Sequence, residues 1–403
     1  MGQSATYISL FSGGGGLDLG LEMAGWHAVY ASDHDPAALA TLKANVGRDL
    51  GGSRRAFENT FLEQQDVTSL TGQSVLSKAG LRKGDVLLLA GGPPCQSWSS
   101  AGHQLGFNDP RAHLFSDFVR LANELDPRWL LFENVRGLLT ARGPNQQPGS
   151  ALVHIRQRLL QAGFQTTVAL LNAADFGVPQ RRVRLFMVGF RTGDAPPFPA
   201  PTLSKNAGWV PLSHALDQVG PLSEREIIRP AGKLAADLAN IKPGTGVKSS
   251  GKTERTRPGG HWGYKQGAFV TDPSRPARTV TASAQQDWVR DPDRGLRRLC
   301  PRECAAIQSF PPEWTFEGNY ATRYRLIGNA VPPLLAKALG GQLLLNGGLQ
   351  DSGEATSLEE LLPLSAGLAY HVSYTAKEEA SNGDSRRVAI PRRVSRLSDI
   401  LCV

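Results

Sequence analysis

The run Asp85-Val86-Leu87-Leu88-Leu89-Ala90 leads directly into Gly91-Gly92-Pro93-Pro94-Cys95-Gln96-Ser97. Its apolar part, 86–90, is typical of a buried parallel strand, and its glycines and prolines end the strand in a rigid turn. Ligands of open α/β sheets bind just outside the carboxyl ends of the strands. We therefore expect Cys95 at a functional edge. A buried loop cysteine is the alternative, because free cysteine is among the most buried residue types.

A second apolar run brings a carboxyl group toward that thiol. Arg128-Trp129-Leu130-Leu131-Phe132 predicts the next strand, and Glu133-Asn134-Val135 follows it. Glu133 is therefore expected at the same edge of the sheet, one strand away from Cys95. A thiolate that attacks a ring carbon and an acid that protonates a ring nitrogen together suit addition to an electron-poor ring.

A glycine-rich turn, Ser12-Gly13-Gly14-Gly15-Gly16, follows a predicted strand over 6–11 and precedes a predicted helix over about 17–24. This arrangement lets a backbone approach a nucleotide-like ligand closely. Two further predicted strands, 28–32 and 61–65, end in Asp33-His34-Asp35 and in Asp66-Val67. An acid at the end of the second strand is placed to hold a ribose. Glycines and two acids at successive strand ends fit an adenosyl ligand better than a dinucleotide.

The segment Gln180-Arg181-Arg182-Val183-Arg184 stands in front of a predicted strand over 185–190. In an extended segment, the side chains of Arg182 and Arg184 lie on one face, as joint contact with one polar site requires. A solvated strand edge is the alternative interpretation.

Pro94-Cys95-Gln96 followed by Glu133-Asn134-Val135 resembles the active-site signature of the C5-cytosine DNA methyltransferases. The order of the motifs fits that family from about Tyr7 to about Leu345. The resemblance implies an α/β fold with a doubly wound, mostly parallel sheet of the class I methyltransferase type. It also implies a smaller, irregular target-recognition domain. We expect a catalytic and cofactor-binding domain over 1–190, the recognition domain over 191–297, a returning segment over 298–346 and a tail over 347–403.

The resemblance also implies roles for individual residues. Cys95 would attack C6 of a flipped-out cytosine, Glu133 would protonate N3, and Arg184 would orient the base, with Arg182 as a second candidate. The cofactor would be S-adenosylmethionine. The positions that match cofactor-binding positions of the family are Phe11, Gly13, Gly15, Gly16, Asp33, His34, Asp66, Val67, Pro94 and Asn329. The family often has glutamate where this chain has Asp33. It often stacks an aromatic side chain where this chain has His34, for which an exposed helix-cap residue is the alternative.

Several segments outside these motifs carry further expectations. The polar, glycine-containing stretch 97–111 is interpreted as a mobile loop that closes over substrate. The basic stretch 242–278, which includes His261, Trp262 and Tyr264, is predicted to grip a phosphate backbone and read base edges, although a solvated loop is the alternative. Within the resemblance, 275–281 organises the recognition region, and 324–333 completes the cofactor pocket. In the tail, 358–364 is predicted as a short helix and the rest as partly disordered.

Composition limits the class of protein. The chain has 403 residues, 40% hydrophobic residues and a formal net charge of +8, which favours a polyanionic partner. No apolar stretch approaches the roughly 20 residues that span a bilayer. Four cysteines suit a reducing compartment, and Cys300 and Cys304 have no second ligand pair with the spacing of a metal site. We expect a cytoplasmic monomer without metal that acts on double-stranded DNA with a short target sequence. A cognate restriction endonuclease would accompany it if the chain serves restriction–modification or phage defence.

Two alternatives remain at this stage. One keeps the chemistry and makes RNA the substrate, as in the tRNA-modifying branch of the family. That branch has a Cys-Phe-Thr motif in its small domain, whereas this chain has no cysteine between Cys95 and Cys300. The other is a catalytically silent DNA-binding relative, which would be expected to lack the Pro-Cys or the Glu-Asn-Val motif.

Overall fold

The computed structural model describes residues 5–51, 54–94, 113–191, 193, 195–204, 208–249, 267–347 and 361–381. The predictions for Cys95, for the loop 97–111 and for the 250–266 part of the basic segment lie outside these residues.

A seven-stranded sheet forms the centre of the molecule. Its strands are β1 (Thr6–Leu10), β2 (His27–Asp33), β3 (Phe61–Gln64), β4 (Leu88–Gly91), β5 (Trp129–Val135), β6 (Gln165–Asn172) and β7 (Val183–Phe190). The spatial order is β3-β2-β1-β4-β5-β7-β6, and β7 runs antiparallel to both of its neighbours. The other neighbouring strands are parallel, which confirms the doubly wound, mostly parallel sheet.

Helices cover both faces of this sheet. They are α1 (Gly16–Ala24), α2 (Pro36–Ala44), α3 (Gly72–Ala79), α4 (His113–Leu125) and α5 (Ser150–Gln161), with 3-10 helices at Val67–Ser69, Arg136–Thr140 and Ala173–Phe176. Strand β5 shows why both faces need cover. Trp129 and Leu131 belong to one buried apolar cluster, and Leu130 and Phe132 belong to another on the opposite face. Side chains alternate between the faces of a strand, so an apolar run of this kind has to be buried on both sides.

Two strand boundaries differ from the prediction, and both affect the site. Strand β5 continues through Glu133 to Val135, so the expectation that it ends at Phe132 was wrong. Strand β7 begins at Val183, so Arg184 lies inside the strand instead of in front of it. The antiparallel pairing of β5 with β7 sets Val135 opposite Arg184 and extends both strands past their apolar parts.

A smaller region follows the large sheet in the chain. It contains α6 (Leu212–Gln218), α7 (Gly232–Ala239) and 3-10 helices at Glu224–Glu226 and Val247–Ser249. Its four-stranded sheet, in the order β11-β10-β9-β8, is built from β8 (Thr245–Gly246), β9 (Phe269–Val270), β10 (Trp288–Asp291) and β11 (Gly295–Arg298). Leu238, Ile241, Val270 and Trp288 form a separate buried cluster beneath it.

The chain then returns to the large sheet through α8 (Pro301–Ile307), α9 (Tyr320–Asn329) and α10 (Pro333–Gly347). Helix α10 packs closely on α1, because a Cβ on Gly20 would lie 2.3 Å from the Cβ of Ala336. The indole Nε1 of Trp26 donates to the carbonyl of Gly340 at 3.0 Å. The predicted return of the chain to the first helix is therefore present.

A last helix, α11 (Ala366–Ser381), follows 361–365, which is not helical. The predicted short helix over 358–364 was therefore wrong for 361–364, and its first three residues lie outside the described chain. The expectation of disorder missed α11, whose Leu368 is buried in the same apolar cluster as Phe132. Among the residues described, no helix is both long and apolar enough to cross a membrane.

Candidate active site

The glycine-rich turn after β1 has a strained backbone that brings amide groups toward the end of β2. Phe11 takes a positive φ of 58°, and Gly13 and Gly15 take φ values of 56° and 77°. The left-handed region is costly for residues other than glycine. In this conformation the Gly13 N–H donates to Oδ2 of Asp33 at 2.8 Å. The turn and the second strand end are thereby fixed to one another.

Asp33 lies at the end of β2 and is 9% exposed. Its other oxygen, Oδ1, accepts from the backbone N–H of Asp35 at 2.9 Å. Each carboxylate oxygen can accept a further hydrogen bond, so the group keeps capacity for a ligand hydroxyl. The neighbouring His34 side chain is 71% exposed and lies 3.3 Å from Asp33 Oδ1, which leaves most of the ring accessible.

The glycines of the turn face two different surroundings. A Cβ on Gly13 would meet no atom closer than 4.0 Å, whereas one on Gly16 would lie 2.2 Å from the Val331 carbonyl oxygen. A Cβ on Gly15 would lie 2.9 Å from the ring of Trp314. Gly15 and Gly16 are therefore required by packing against the returning segment, a reason that the sequence did not reveal. The open side at Gly13, beside Asp33, fits an adenosyl ligand.

Asp66 and Val67 follow β3 along the same edge. Asp66 begins the 3-10 helix, and its Oδ1 accepts from both the N–H and the hydroxyl of Thr68, at 2.9 and 2.8 Å. These hydrogen bonds lower the pKa of the Asp66 carboxyl below its ordinary value. Val67 is buried. The edge is continuous, because the backbone N–H of Gln65 donates to the carbonyl of Asp33 at 3.0 Å.

The returning segment reaches this edge at the end of α9. Asn329 is the last residue of that helix and is exposed. One turn earlier, Arg325 forms an ion pair with Asp35 at 2.6 Å. A Cβ on Gly14 would lie 3.2 Å from the carbonyl oxygen of Leu326, which shows how closely α9 approaches the turn. The end of α9 therefore lies close to the glycine-rich turn and to the end of β2.

The opposite half of the edge holds Glu133. Strands β4 and β5 are neighbours, as predicted. Gly91 of β4 pairs with Phe132 of β5. The Glu133 and Arg184 side chains are 12% and 13% exposed, and Arg184 Nε lies 3.2 Å from Glu133 Oε1. Burial raises the pKa of Glu133 above its ordinary value, although Arg184 and Arg182 each oppose that rise. The carboxyl group therefore retains its proton to higher pH than an exposed glutamate does.

Two residues that the sequence reading did not assign to the site shape the space around Glu133. A Cβ on Gly92 would lie 3.0 Å from Glu133 Oε2, so the glycine leaves room for the carboxyl group. The side chain of Asn134 donates to the carbonyl of Pro93 at 3.3 Å. The turn that leads to Pro94 and Cys95 is therefore tied to β5. In the sequence, a glycine next to a strand end was the only indication that these residues belong to the site.

Arg182 and Arg184 have different positions although only one residue separates them. Arg182 is fully buried, and its guanidinium donates to the carbonyls of Val280, Gly328 and Ala330 at 3.0, 2.8 and 2.9 Å. Arg182 therefore connects the start of β7 to two segments that follow about 100 and 150 residues later in the chain. A direct base contact does not fit this buried position, which corrects the expectation that both side chains serve one polar site.

A buried amide network supports the same junction. Gln180 is fully buried, accepts from the Val280 N–H at 2.8 Å and donates to Oε1 of Gln308 at 2.7 Å. Gln308 in turn donates to the carbonyl of Ile327 at 2.6 Å. The stretch 275–281 runs beside 179–181, where the Arg181 N–H donates to Ala277 at 2.9 Å. These contacts agree with an organising role for 275–281.

The basic residues of the smaller region differ in whether their charge is already paired within the protein. Arg278 pairs with Asp287 at 2.6 Å and lies over the ring of Phe269 at 4.0 Å, so its charge is already engaged. Lys242 and Lys248 are exposed. Arg275 is exposed and forms an ion pair with Asp272 at 3.4 Å. The other basic and aromatic residues of the predicted recognition surface lie outside the described chain; they are Lys252, Arg255, Arg257, His261, Trp262, Tyr264 and Lys265.

Cys300 and Cys304 are both buried and free. Burial raises the pKa of each thiol, to about 12 for Cys300. Burial therefore disfavours the thiolate form, which is the nucleophilic form, at both positions. Over the part of the chain that the structure describes, no group of three or more metal-ligating side chains is present.

Comparison with known proteins adds an independent finding. Residues 5–344 match the family of C-5 cytosine-specific DNA methylases. The chain is 32% identical over 350 residues to the type II methyltransferase M1.HphI of Haemophilus parahaemolyticus, covering 85% of this chain and 87% of that protein. It is 33% identical over 364 residues to the type II methyltransferase M.Eco47II of Escherichia coli, covering 83% and 78%.

Solved structures share the fold. A putative DNA modification methyltransferase encoded within an Escherichia coli prophage superposes with a TM-score of 0.59 at 24% identity, over 85% of this chain and all of that one. The Dnmt2 methyltransferase of S. pombe superposes with a TM-score of 0.60 at 16% identity, over 85% of this chain and 99% of that one.

Proposed function

This chain belongs to the C-5 cytosine-specific DNA methylases and is a DNA cytosine-5-methyltransferase, and we propose that it acts through a covalent Cys95–C6 adduct on a flipped-out base. The observation that carries this mechanism is the buried Glu133–Arg184 pair beside the turn that leads to Cys95. A stacked cytosine is inaccessible inside a duplex, so the base has to leave the helix first.

Glu133 acts as the acid. Burial raises its pKa and so favours the protonated carboxyl group, and Gly92 leaves room for Oε2. The proton passes to N3 of the cytosine, which makes C6 electrophilic, and the Cys95 thiolate forms the bond to C6. Arg184 holds the base against Glu133, since its guanidinium reaches the same carboxyl group. Electron density then develops at C5, the atom that is methylated. A base such as water removes the C5 proton, the C6–S bond breaks to release the Cys95 thiolate, and N3 returns its proton to Glu133, which completes the turnover.

S-adenosylmethionine supplies the methyl group as an electrophile. Gly13, Asp33, Asp66 and Asn329 would hold it, together with Phe11, Gly15, Gly16, His34, Val67 and Pro94. The support for this assignment is the open side of Gly13 beside a carboxylate that keeps acceptor capacity. Asp33 takes the ribose hydroxyls, and Asp66, whose lowered pKa keeps it ionised, accepts from the adenine amino group. Asn329 closes the pocket from α9.

The substrate is double-stranded DNA with a short target sequence, read by the smaller region as a recognition domain over 191–297. The catalytic parts are 1–190 and 298–346, with a tail over 347–403. The type II relatives support a role in restriction–modification, and a cognate endonuclease would then accompany the enzyme. A role in phage defence and a monomeric state remain expectations from the sequence.

Bisulfite sequencing of plasmid DNA from cells that express the chain tests the proposal, with Cys95→Ala as the matched control. We expect cytosines within one short motif to resist conversion only with the intact protein. The mapped motif then allows a duplex with 5-fluorocytosine at the target to be used for trapping. A stable protein–DNA adduct is expected with the intact chain and none with Cys95→Ala. Protection of cytosines by Cys95→Ala would contradict the adduct.

A further inference from the structure

The C-terminal segment 361–381 follows the part of the chain that matches the family, yet it packs on the apolar cluster that includes Phe132. Leu368 and Val372 of helix α11 are four residues apart, so they lie on one side of the helix. Leu368 is 6% exposed within the cluster, and Val372 packs against it. Leu364, just before the helix, does the same. The segment is therefore part of the folded catalytic region.

A buried arginine holds the start of this segment. Arg156 of α5 is 1% exposed, and its guanidinium donates to the hydroxyl and the carbonyl of Thr166 at 2.9 and 3.0 Å. It also donates to the carbonyl of Leu362. A buried charge is costly unless it is hydrogen-bonded. The carbonyl of Leu362 therefore contributes to a bonding pattern that the core needs, and it forms the first anchor of the segment.

The second anchor is the 3-10 helix Arg136–Thr140, on which α11 packs. Val372 lies so close to Gly149 that a Cβ on this glycine would be 2.9 Å from Val372 Cγ1. The same Cβ would be 3.4 Å from the carbonyl oxygen of Leu139. The Leu139 side chain is buried in the apolar cluster that also holds α11. The segment thus covers the 3-10 helix and the loop that follows it.

This 3-10 helix continues directly from the strand that carries Glu133. Val135 is both the last residue of β5 and the N-cap of the 3-10 helix, so no flexible link separates the two elements. Glu133 and Val135 pair with β7 on one side. On the other side β4 ends at Gly91, opposite Phe132. Among the described residues, the end of β5 has a strand on one side only, so its direction depends also on the 3-10 helix.

We propose that the segment 361–381 is a strap that positions Glu133 for proton transfer to the target cytosine. The strap holds the 3-10 helix, and that helix fixes the end of β5, so the carboxyl group stays in place beside Arg184. Leu368 and Val372 act through Glu133 and are positioning residues. This inference rests on the proposed function, in which Glu133 is the acid, and extends it to residues beyond the family match.

The test uses the full chain with Leu368→Ala and Val372→Ala together. The matched control carries Tyr370→Ala and Lys377→Ala, which change exposed side chains of the same helix. A displacement of about 1 Å at a reacting group can lower the rate about 100-fold, so we expect kcat to fall about ten- to hundredfold in the strap variant. The KM for DNA and the affinity for S-adenosylmethionine should stay the same. The control should match the intact chain in every quantity.

Two readouts separate positioning from a loss of folded protein. Calorimetry gives the number of S-adenosylmethionine sites per chain, which counts the folded molecules, and kcat is expressed per site. Leu368→Met keeps the apolar contact and should keep most of kcat. If the double variant loses binding sites, Leu368→Ala alone is measured in the same way. The proposal is overturned if kcat per site equals that of the intact chain.

Trapping with a 5-fluorocytosine duplex separates failure of the strap from failure of the proposed function. Formation of the adduct needs the proton from Glu133, so it should slow in the strap variant by the same factor as kcat. An intact chain that forms no adduct would overturn the proposed mechanism, on which the strap depends. An intact chain and a strap variant that form the adduct equally fast would overturn the strap alone.

Discussion

The two halves of the large sheet's carboxyl edge hold carboxyl groups in opposite ways. Around β4, β5 and β7, Glu133 is buried, and burial raises its pKa despite two nearby arginines. Around β1, β2 and β3, the carboxylates accept hydrogen bonds from backbone amides, and those bonds lower the pKa of Asp66. One edge therefore supplies an acid at one end and hydrogen-bond acceptors at the other. The surroundings of a carboxyl group decide its role.

The largest effect is expected from Glu133→Gln, which removes the acid but keeps the size of the side chain. General acid catalysis contributes about 10²- to 10⁴-fold to rate, so kcat should fall by that range. The affinity for S-adenosylmethionine should not change, because the other half of the edge is intact. Single-turnover methylation of the mapped target measures the first quantity and calorimetry the second. If the Glu133→Gln enzyme kept its full kcat, Glu133 would not act as the acid, and the proposed difference between the two halves of the edge would be wrong.

Arg182→Met should have the next largest effect, and it acts on stability. The variant removes a guanidinium donor from three buried carbonyls, of which that of Ala330 keeps a hydrogen bond from Gln308 at 3.3 Å. We expect this loss to cost about 3 kcal/mol of unfolding free energy. Arg184→Met is the matched control. It should abolish most activity while lowering the stability much less, because Arg184 donates, among the described residues, to one backbone carbonyl, that of Val183, besides its ion pair with Glu133. Urea unfolding of both variants measures the two losses of stability. Equal losses would contradict the different roles of Arg182 and Arg184.

Asp33→Asn should weaken the binding of S-adenosylmethionine and leave the Glu133 half of the edge unaffected. The amide has one acceptor oxygen where the carboxylate has two, so either the Gly13 or the Asp35 N–H loses its partner. We expect about tenfold weaker binding of S-adenosylmethionine, or about 1.4 kcal/mol, with unchanged kcat at saturating cofactor. Asp237→Asn, on an exposed part of α7, is the control. A fall in kcat without a change in affinity would show that the two halves are not separable.

The smallest effect concerns pH. Glu133 donates its proton only while protonated, so turnover should fall as pH rises through its pKa. Arg184 opposes the rise in that pKa. Arg184→Met should therefore raise the pKa further and move the alkaline limb of kcat to higher pH, whereas Arg184→Lys should leave the limb closer to that of the intact enzyme. The residual activity of both variants, followed from pH 6 to 10, measures the shift. A limb that moves to lower pH in Arg184→Met would contradict this assignment of charge.

Much of the fold could be predicted because its signals are local. Each strand of the first half is a short apolar run that ends in glycine or an acid, so a doubly wound, mostly parallel sheet and the strand ends expected to carry the site could be predicted from the sequence. Glu133 was expected beside the turn that leads to Cys95 for this reason, and β4 and β5 are indeed neighbours.

The remaining features depend on partners that are distant in sequence. The buried position of Arg182 results from carbonyls 98 to 148 residues further along the chain, and no local pattern distinguishes it from Arg184. The antiparallel direction of β7, which brings Arg184 to the carboxyl edge, is likewise set by pairing with β5 and β6. Helix α11 was missed because it is stabilised by packing on the 3-10 helix Arg136–Thr140 and on the buried apolar cluster that includes Leu368, and not by a strong apolar period of its own.

The packing of Gly14, Gly15 and Gly16 against 310–331 has a consequence for synthesis. The cofactor turn leaves the ribosome before the segment that packs on it, which follows about 300 residues later. At about 5–20 residues per second, the turn waits at least about 15 seconds for its partner. During that interval the nascent chain lacks Asn329 and the wall formed by Trp314. The turn can therefore reach its packed conformation only after the segment 310–331 has been made.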